Sequence, residues 1–142
     1  MPTRNAHAEW NGSIGEGSGT MALGSGAFEG KYSFKSRMED GPGTNPEELI
    51  GAAHAGCFSM ALSVVLGSEG HEPESIKTDA KVRFDKEGDG FAITSVALTT
   101  RAVVPGMDND AFVKAAEAAK ANCPVSKALT GTEISLDAAL ES

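Results

Sequence analysis

The stretch Gly43-Thr-Asn-Pro-Glu-Glu-Leu-Ile-Gly-Ala-Ala-His-Ala-Gly-Cys-Phe-Ser-Met-Ala-Leu-Ser-Val-Val-Leu-Gly67 decides the fold. It reads as one long helix. Thr44 or Asn45 is a suitable N-cap, because a side-chain oxygen there accepts one of the orphan backbone N–H groups. Pro46 suits the first helical position, where no donor is lost. Glu47 and Glu48 place negative charge at the positive end of the helix dipole, and Gly67 and Gly70 offer stops. Between these ends nearly every residue is small or apolar on all faces, the pattern of a helix enclosed by protein. Gly51, Ala52, Ala55 and Gly56 would let a second backbone approach closely. A chain of this size covers one side of such a helix well, so a homodimer that buries two of them together is expected. Cys57 lies at the middle.

Working outward, residues 7–12, 20–23 and 31–38 read as three strands of a meander, with turn signals at Asn11-Gly12 and between Gly24 and Gly30. Residues 39–43 form a loop into the helix. Beyond it, Ile76, Thr78, Ala80, Val82 and Phe84 alternate with Lys77, Asp79, Lys81, Arg83 and Asp85, which predicts a half-buried strand. Lys86-Glu-Gly-Asp-Gly90 turns it into a second strand over 91–104. After Pro105-Gly106, Asp108 or Asn109 caps a helix to about residue 121. A shorter helix follows over 122–131 with Pro124 at its start, and residues 132–140 close the chain as a strand. The order βββ–α–ββ–αα–β points to an α+β fold rather than a doubly wound sheet, in a single domain over residues 1–142.

The net charge of -8 argues against a nucleic-acid footprint or a basic membrane patch. The first residues carry no apolar run of the kind a secretory signal needs. The central stretch is long enough to cross a bilayer. It nevertheless holds Glu47, Glu48, His54 and two serines and has no flanking basic residues, so neither a membrane nor a nucleic-acid partner is expected, and a cytoplasmic location is. Two cysteines and three histidines, without a C-x-x-C, leave no metal-site spacing. Two cysteines in a cytosolic chain are inert core thiols or a transient redox pair.

Burial alone raises a thiol pKa and makes it inert, so a reactive Cys57 needs a positive neighbour. His54 lies one turn before it, although a His-x-x-Cys pair equally fits a packed, hydrogen-bonded histidine. Cys123 precedes Pro124 at a helix start, where backbone N–H groups favour a thiolate; it equally fits a small apolar residue beneath that helix. Arg37 and Glu47 read by pattern as surface charges able to pair.

Residues 43–62, quoted above, closely resemble the signature of the osmotically inducible protein C (OsmC) family, kin to the organic hydroperoxide resistance (Ohr) proteins. Asn122-Cys-Pro-Val-Ser126 resembles the family's second cysteine motif. The similarity extends to Ala8-Glu-Trp-Asn-Gly12, Gly90-Phe-Ala-Ile-Thr94 and the closing strand. Gly43-Thr44 with His54 points to the OsmC branch. The resemblance implies a thiol-dependent peroxidase that reduces organic hydroperoxides, and hydrogen peroxide less well, in an intertwined homodimer with its sites at the subunit interface. It implies Cys57 as the peroxidatic cysteine, Cys123 as the resolving one, Arg37 as the active-site arginine and Glu47 as the glutamate that holds it. Arg37 is matched by position and pattern, Glu47 within the motif itself. No metal, flavin or haem is implied; an external dithiol, by resemblance a lipoylated protein, would reduce the disulfide.

That chemistry suits the residue types. Arginine stays charged at any working pH and offers several donors, and Phe58 or Met60 would line an apolar pocket for bulky peroxides. Glu47 and Cys57 are about 15 Å apart along an ideal helix and point about 80° apart, so a site shared between subunits is expected. Two other functions remain open at this point: a redox sensor using the same Cys57–Cys123 switch without turnover, and a non-catalytic binder of small apolar ligands.

Overall fold

The computed structural model describes residues 1–141. Ten elements follow one another: β1 (Ala6–Asn11), β2 (Ser18–Leu23), β3 (Glu29–Tyr32), α1 (Phe34–Met38), α2 (Pro46–Ser68), β4 (Ser75–Glu87), β5 (Gly90–Val103), α3 (Asn109–Asn122), α4 (Pro124–Ala128) and β6 (Glu133–Leu140). This is the expected α+β order with one helix added. Its contacts gather into two units, Met1–Leu49 and the residues from Ile50 onward, with α2 running from the first into the second.

The first unit is an antiparallel meander in the order β1-β2-β3. Trp10 and Tyr32 flank Gly19 in the middle strand, with ring centroids 5.5 Å apart. A Cβ at Gly19 would come within 2.6 Å of Tyr32 and of the Glu9 carbonyl, so only glycine fits there. Residues 33–38 depart from the strand expected over 31–38. Ser33 and Ser36 form a reciprocal capping box, Ser36 N donating to Ser33 Oγ at 3.1 Å and Ser33 N to Ser36 Oγ at 2.9 Å. Two satisfied end groups turn the chain into α1 where the alternation of Tyr32 and Phe34 suggested a strand. The buried residues of this unit are Gly19, Ser36, Thr44 and Glu47; no large apolar side chain among them is enclosed.

In the second unit β4, β5 and β6 form one sheet in that order. The β4–β5 hairpin is antiparallel with a bulge at Arg83/Phe84, and β6 pairs parallel to β5. The helices α3 and α4 supply the crossover that a parallel pairing needs. The face of β4 carrying Ile76, Thr78, Ala80, Val82 and Phe84 is the less exposed one, as its alternation predicts. The core combines Phe58, Leu62 and Leu66 of α2 with Val96, Leu98 and Ala102 of β5 and Phe112, Ala115, Ala116 and Ala119 of α3.

The ends of α2 follow local chemistry. Asn45 is the cap: Glu48 N donates to its Oδ1 at 2.7 Å. The stop is Gly70 rather than Gly67. Gly70 sits at φ +82, His71 N donates to Leu66 O at 2.9 Å and Gly70 N to Gly67 O at 3.1 Å. Those two bonds make a Schellman ending, which uses glycine's access to the left-handed region. α2 is the one helix among the described residues long and apolar enough to cross a membrane. Its Phe58–Leu62–Leu66 stripe is nonetheless enclosed by the core. The opposite stripe, Ala52, Ala53, Gly56, Met60, Val64 and Gly67, is open. Gly51 is not on that open face, as the sequence suggested. It lies against β4, where a Cβ would meet Val82 at 3.3 Å and Ala80 at 3.7 Å.

Leu62→Ala removes a fully enclosed side chain from this core and should lower the unfolding free energy by about 2–5 kcal/mol. A urea denaturation showing a loss under about 1 kcal/mol would exclude Leu62 from the stabilising core.

Candidate active site

Each unit brings together two of the four residues singled out from the sequence. In the first, the end of β3, α1 and the loop into α2 are tied by polar bonds. Thr44 N donates to Lys31 O at 2.8 Å, Ser36 Oγ to Thr44 O at 2.7 Å and Asn45 Nδ2 to Ser36 O at 3.2 Å. These bonds set Arg37 of α1 opposite Glu47 in the first turn of α2. Arg37 Nε and Nη2 donate to Glu47 Oε1 and Oε2, each at 3.0 Å. Two parallel bonds to one carboxylate fix the guanidinium plane as well as its position. Glu47 is only 6% exposed, whereas the Arg37 side chain is 38% exposed. Glu47 is therefore a buried anchor for the half-exposed Arg37, and neither residue is the bland surface charge that pattern alone suggests.

In the second unit α2 supplies Cys57, and Cys123 stands between α3 and α4 as the N-cap of α4. Cys123 N donates to Ala119 O at 2.9 Å, and Pro124 opens α4 at a position that needs no donor. Both thiols are free, with the sulfurs 3.1 Å apart. A disulfide needs about 2.05 Å, so about 1 Å of further approach closes the bond.

The two thiols sit in different surroundings. Burial pushes the Cys57 thiol above its ordinary value, and its bond to Cys123 pushes the same way, against a smaller opposing effect of the Val125 N–H. Burial also pushes Cys123 up, but donors outweigh it. Cys57, the Ser126 backbone and side chain and the Val125 N–H together hold Cys123 below its ordinary value. The mid-helix thiol has one backbone N–H beside it, that of Val125, whereas the helix-start thiol has those of Val125 and Ser126 and the Ser126 hydroxyl as well. Within the second unit the negative charge of the pair is thus better accommodated on Cys123 than on Cys57.

His54 is fully buried, and its Nε2 lies 2.7 Å from Ser126 Oγ. It is a packed, hydrogen-bonded histidine, one of the two alternatives its sequence left open. Ser126 was not singled out from the sequence; the signal available was its place three residues after Cys123, matching the step of three from His54 to Cys57. Phe58 and Met60 do not line one pocket in this chain. Phe58 is enclosed in the core and Met60 is 74% exposed, as side chains two residues apart on a helix must diverge by about 200°. Among the described residues no three His, Cys, Asp or Glu side chains gather as a metal site.

The OsmC-like protein family matches residues 39–137. That span includes Glu47 and both cysteines. The chain belongs to the OsmC family. It is 50% identical over 140 residues to the peroxiredoxin OsmC of Escherichia coli K12, covering 98% of this chain and 97% of that one. It is 34% identical over 92 residues to an organic hydroperoxide resistance protein of Xanthomonas axonopodis pv. citri, covering 64% and 63%. The crystal structure of an organic hydroperoxide resistance protein from Elizabethkingia anophelis superimposes with a TM-score of 0.79 at 26% identity, covering 99% of this chain and 98% of that one. The OsmC fold, with its strand–helix–strand order, is thus present over nearly the whole chain.

Burial holds His54 below its ordinary value of 6.5. The folded OsmC-family chain therefore resists a proton that the unfolded chain accepts. The stability contributed by the neutral ring is complete above about pH 6.5 and declines as the pH falls below it. Denaturation midpoints should fall between about pH 7.5 and 5.5 for wild type, and fall less for His54→Gln. Parallel pH profiles for the two proteins would show that His54 does not titrate between the folded and unfolded states.

Proposed function

We propose that this chain is a cysteine-based peroxidase that reduces organic hydroperoxides, and hydrogen peroxide less well. The observation that carries the reading is the 3.1 Å approach of two free thiols at the two cysteine motifs of the OsmC family. The peroxiredoxin name of the Escherichia coli relative and the hydroperoxide resistance names of the others support the same chemistry. The Cys57 thiolate attacks the terminal oxygen of the hydroperoxide. The O–O bond breaks, the alkoxide leaves and takes up a proton as the alcohol, and Cys57 becomes a sulfenic acid. The Cys123 sulfur then attacks the Cys57 sulfur and expels water, leaving a Cys57–Cys123 disulfide. An external dithiol, of which a lipoylated protein is one kind, takes the disulfide back to two thiols. No bound cofactor enters this cycle, and it runs in the cytoplasm.

Arg37 supplies what Cys57 lacks. Burial raises the Cys57 thiol, and a guanidinium is the permanent cation able to oppose that. Held by Glu47 through two bonds, it also offers donors to the peroxide oxygens as charge develops on them. The working form is a homodimer in which this pair and the thiols are contributed to shared sites. Two features support association. The open stripe of α2 is apolar, with Met60 and Val64 among small residues, and the first unit has no enclosed apolar side chain of its own, a state that small units escape by associating.

One equivalent of cumene hydroperoxide should produce a chain lighter by two hydrogens in mass spectrometry, with Cys57 and Cys123 joined. Cys57→Ser should abolish consumption, and Arg37→Ala should lower it by about 10²-fold. Full activity in either variant would overturn the reading. Mixing Cys57→Ser with Glu47→Ala chains should recover about one working site per dimer; no recovery would argue for sites built within single chains.

A further inference from the structure

The four residues that face one another across α2 and α4 repeat one spacing. His54-x-x-Cys57 and Cys123-x-x-Ser126 run in opposite directions, so His54 meets Ser126 and Cys57 meets Cys123. One rung is the pair of sulfurs at 3.1 Å. The other is a 2.7 Å bond between Nε2 and Oγ, formed by residues that are 0% and 6% exposed. α4 is five residues long, too short to hold its own direction without tertiary contacts. The bond at its third residue, together with the packing of Val125 and Leu129 against the core, orients its first turn, and with it Cys123.

The protons on this rung can be assigned from what is left unmet. His54 Nδ1 is buried and has no hydrogen-bond partner. A hydrogen on Nδ1 would be a donor buried without an acceptor, which is rarer in proteins than an acceptor left without a donor. The hydrogen therefore belongs on Nε2, which donates to Ser126 Oγ. The Ser126 hydroxyl proton is then free to turn toward Cys123, whose sulfur the Ser126 side chain stabilises as the anion.

We propose that His54 and Ser126 form a positioning pair that holds the Cys123 thiol against Cys57 and prepares it to close the disulfide. The two act through α4 and through the Ser126 hydroxyl, not on the substrate. The proposal rests on the reading of Cys57 and Cys123 as a redox pair and adds residues to its second half. In this arrangement the resolving thiol is set by a neutral, buried rung, separate from the arginine that serves the attacking thiol.

The test is the rate at which the dithiol closes to the disulfide in oxidised glutathione, which needs no peroxide. Ser126→Ala and His54→Leu should each lower the rate constant for closure by up to about tenfold, the equivalent of one buried hydrogen bond. Ser126→Thr, which keeps the hydroxyl, and His54→Gln, which keeps a donor near the Nε2 position, should restore it to within about threefold. Variants that remain folded by circular dichroism with wild-type constants would overturn the proposal, as would failure of both conservative variants to restore it. Should the Ala and Leu variants not fold, nitrogen-15 NMR of wild type decides: the hydrogen is expected on Nε2 of a neutral His54, and its presence on Nδ1 would overturn the assignment. A wild-type chain that never forms the disulfide would instead remove the redox-pair reading itself.

Discussion

Everything in the second unit depends on the packing of one stripe of α2 against the sheet. Phe58, Leu62 and Leu66 recur at fourfold spacing and are fully enclosed, which fixes the rotation of the helix about its axis. Once that rotation is set, His54, one turn before Phe58, is buried, and Cys57 lands at the edge of the core, where α4 can reach it. A helix rotated by one residue, about 100°, would take both of these out of reach of α4. The apolar stripe is thus as much a part of the thiol geometry as the cysteines themselves.

That geometry also creates an electrostatic problem. Partly burying a thiol in the middle of a helix disfavours its anion, because the helix's own backbone N–H groups are already engaged. The chain answers it unevenly. Cys123 stands at a helix start among donors, while Cys57 has a single opposing backbone donor. In the first unit the Arg37–Glu47 fork is a cation fixed by a buried carboxylate. Its carboxylate sits in the first turn of α2, where the helix dipole also favours a negative charge.

Much of this was legible from the sequence because it is local. The cap at Asn45, the alternation of β4, the glycine-rich turn of the β4–β5 hairpin and the Asp108 cap of α3 each depend on residues a few positions apart. The short helix carrying Arg37 was hidden because two local signals competed over the same residues. The alternation of residues 31–34 suggested a strand, and the Ser33–Ser36 capping box prevailed. Ser126 could not be read because its partner lies 72 residues away; a serine takes its meaning from what it meets. The face of α2 was misread at Gly51 for a related reason. Small residues mark close approach without saying to what, and at Gly51 the neighbour is the chain's own β4.

The first unit has a consequence of a different kind. Its strands carry ladder hydrogen bonds, but no enclosed apolar side chain gives them cooperativity. Segments of that sort open at a lower free-energy cost than core strands do. The arginine arm and the thiol-bearing body are therefore two tiers of stability within one polypeptide. Under mild heat or denaturant the arm would loosen first, while the sulfurs remain framed by their core. The protein would then pass through a stage in which the cysteines keep their spacing and the guanidinium has lost its anchor.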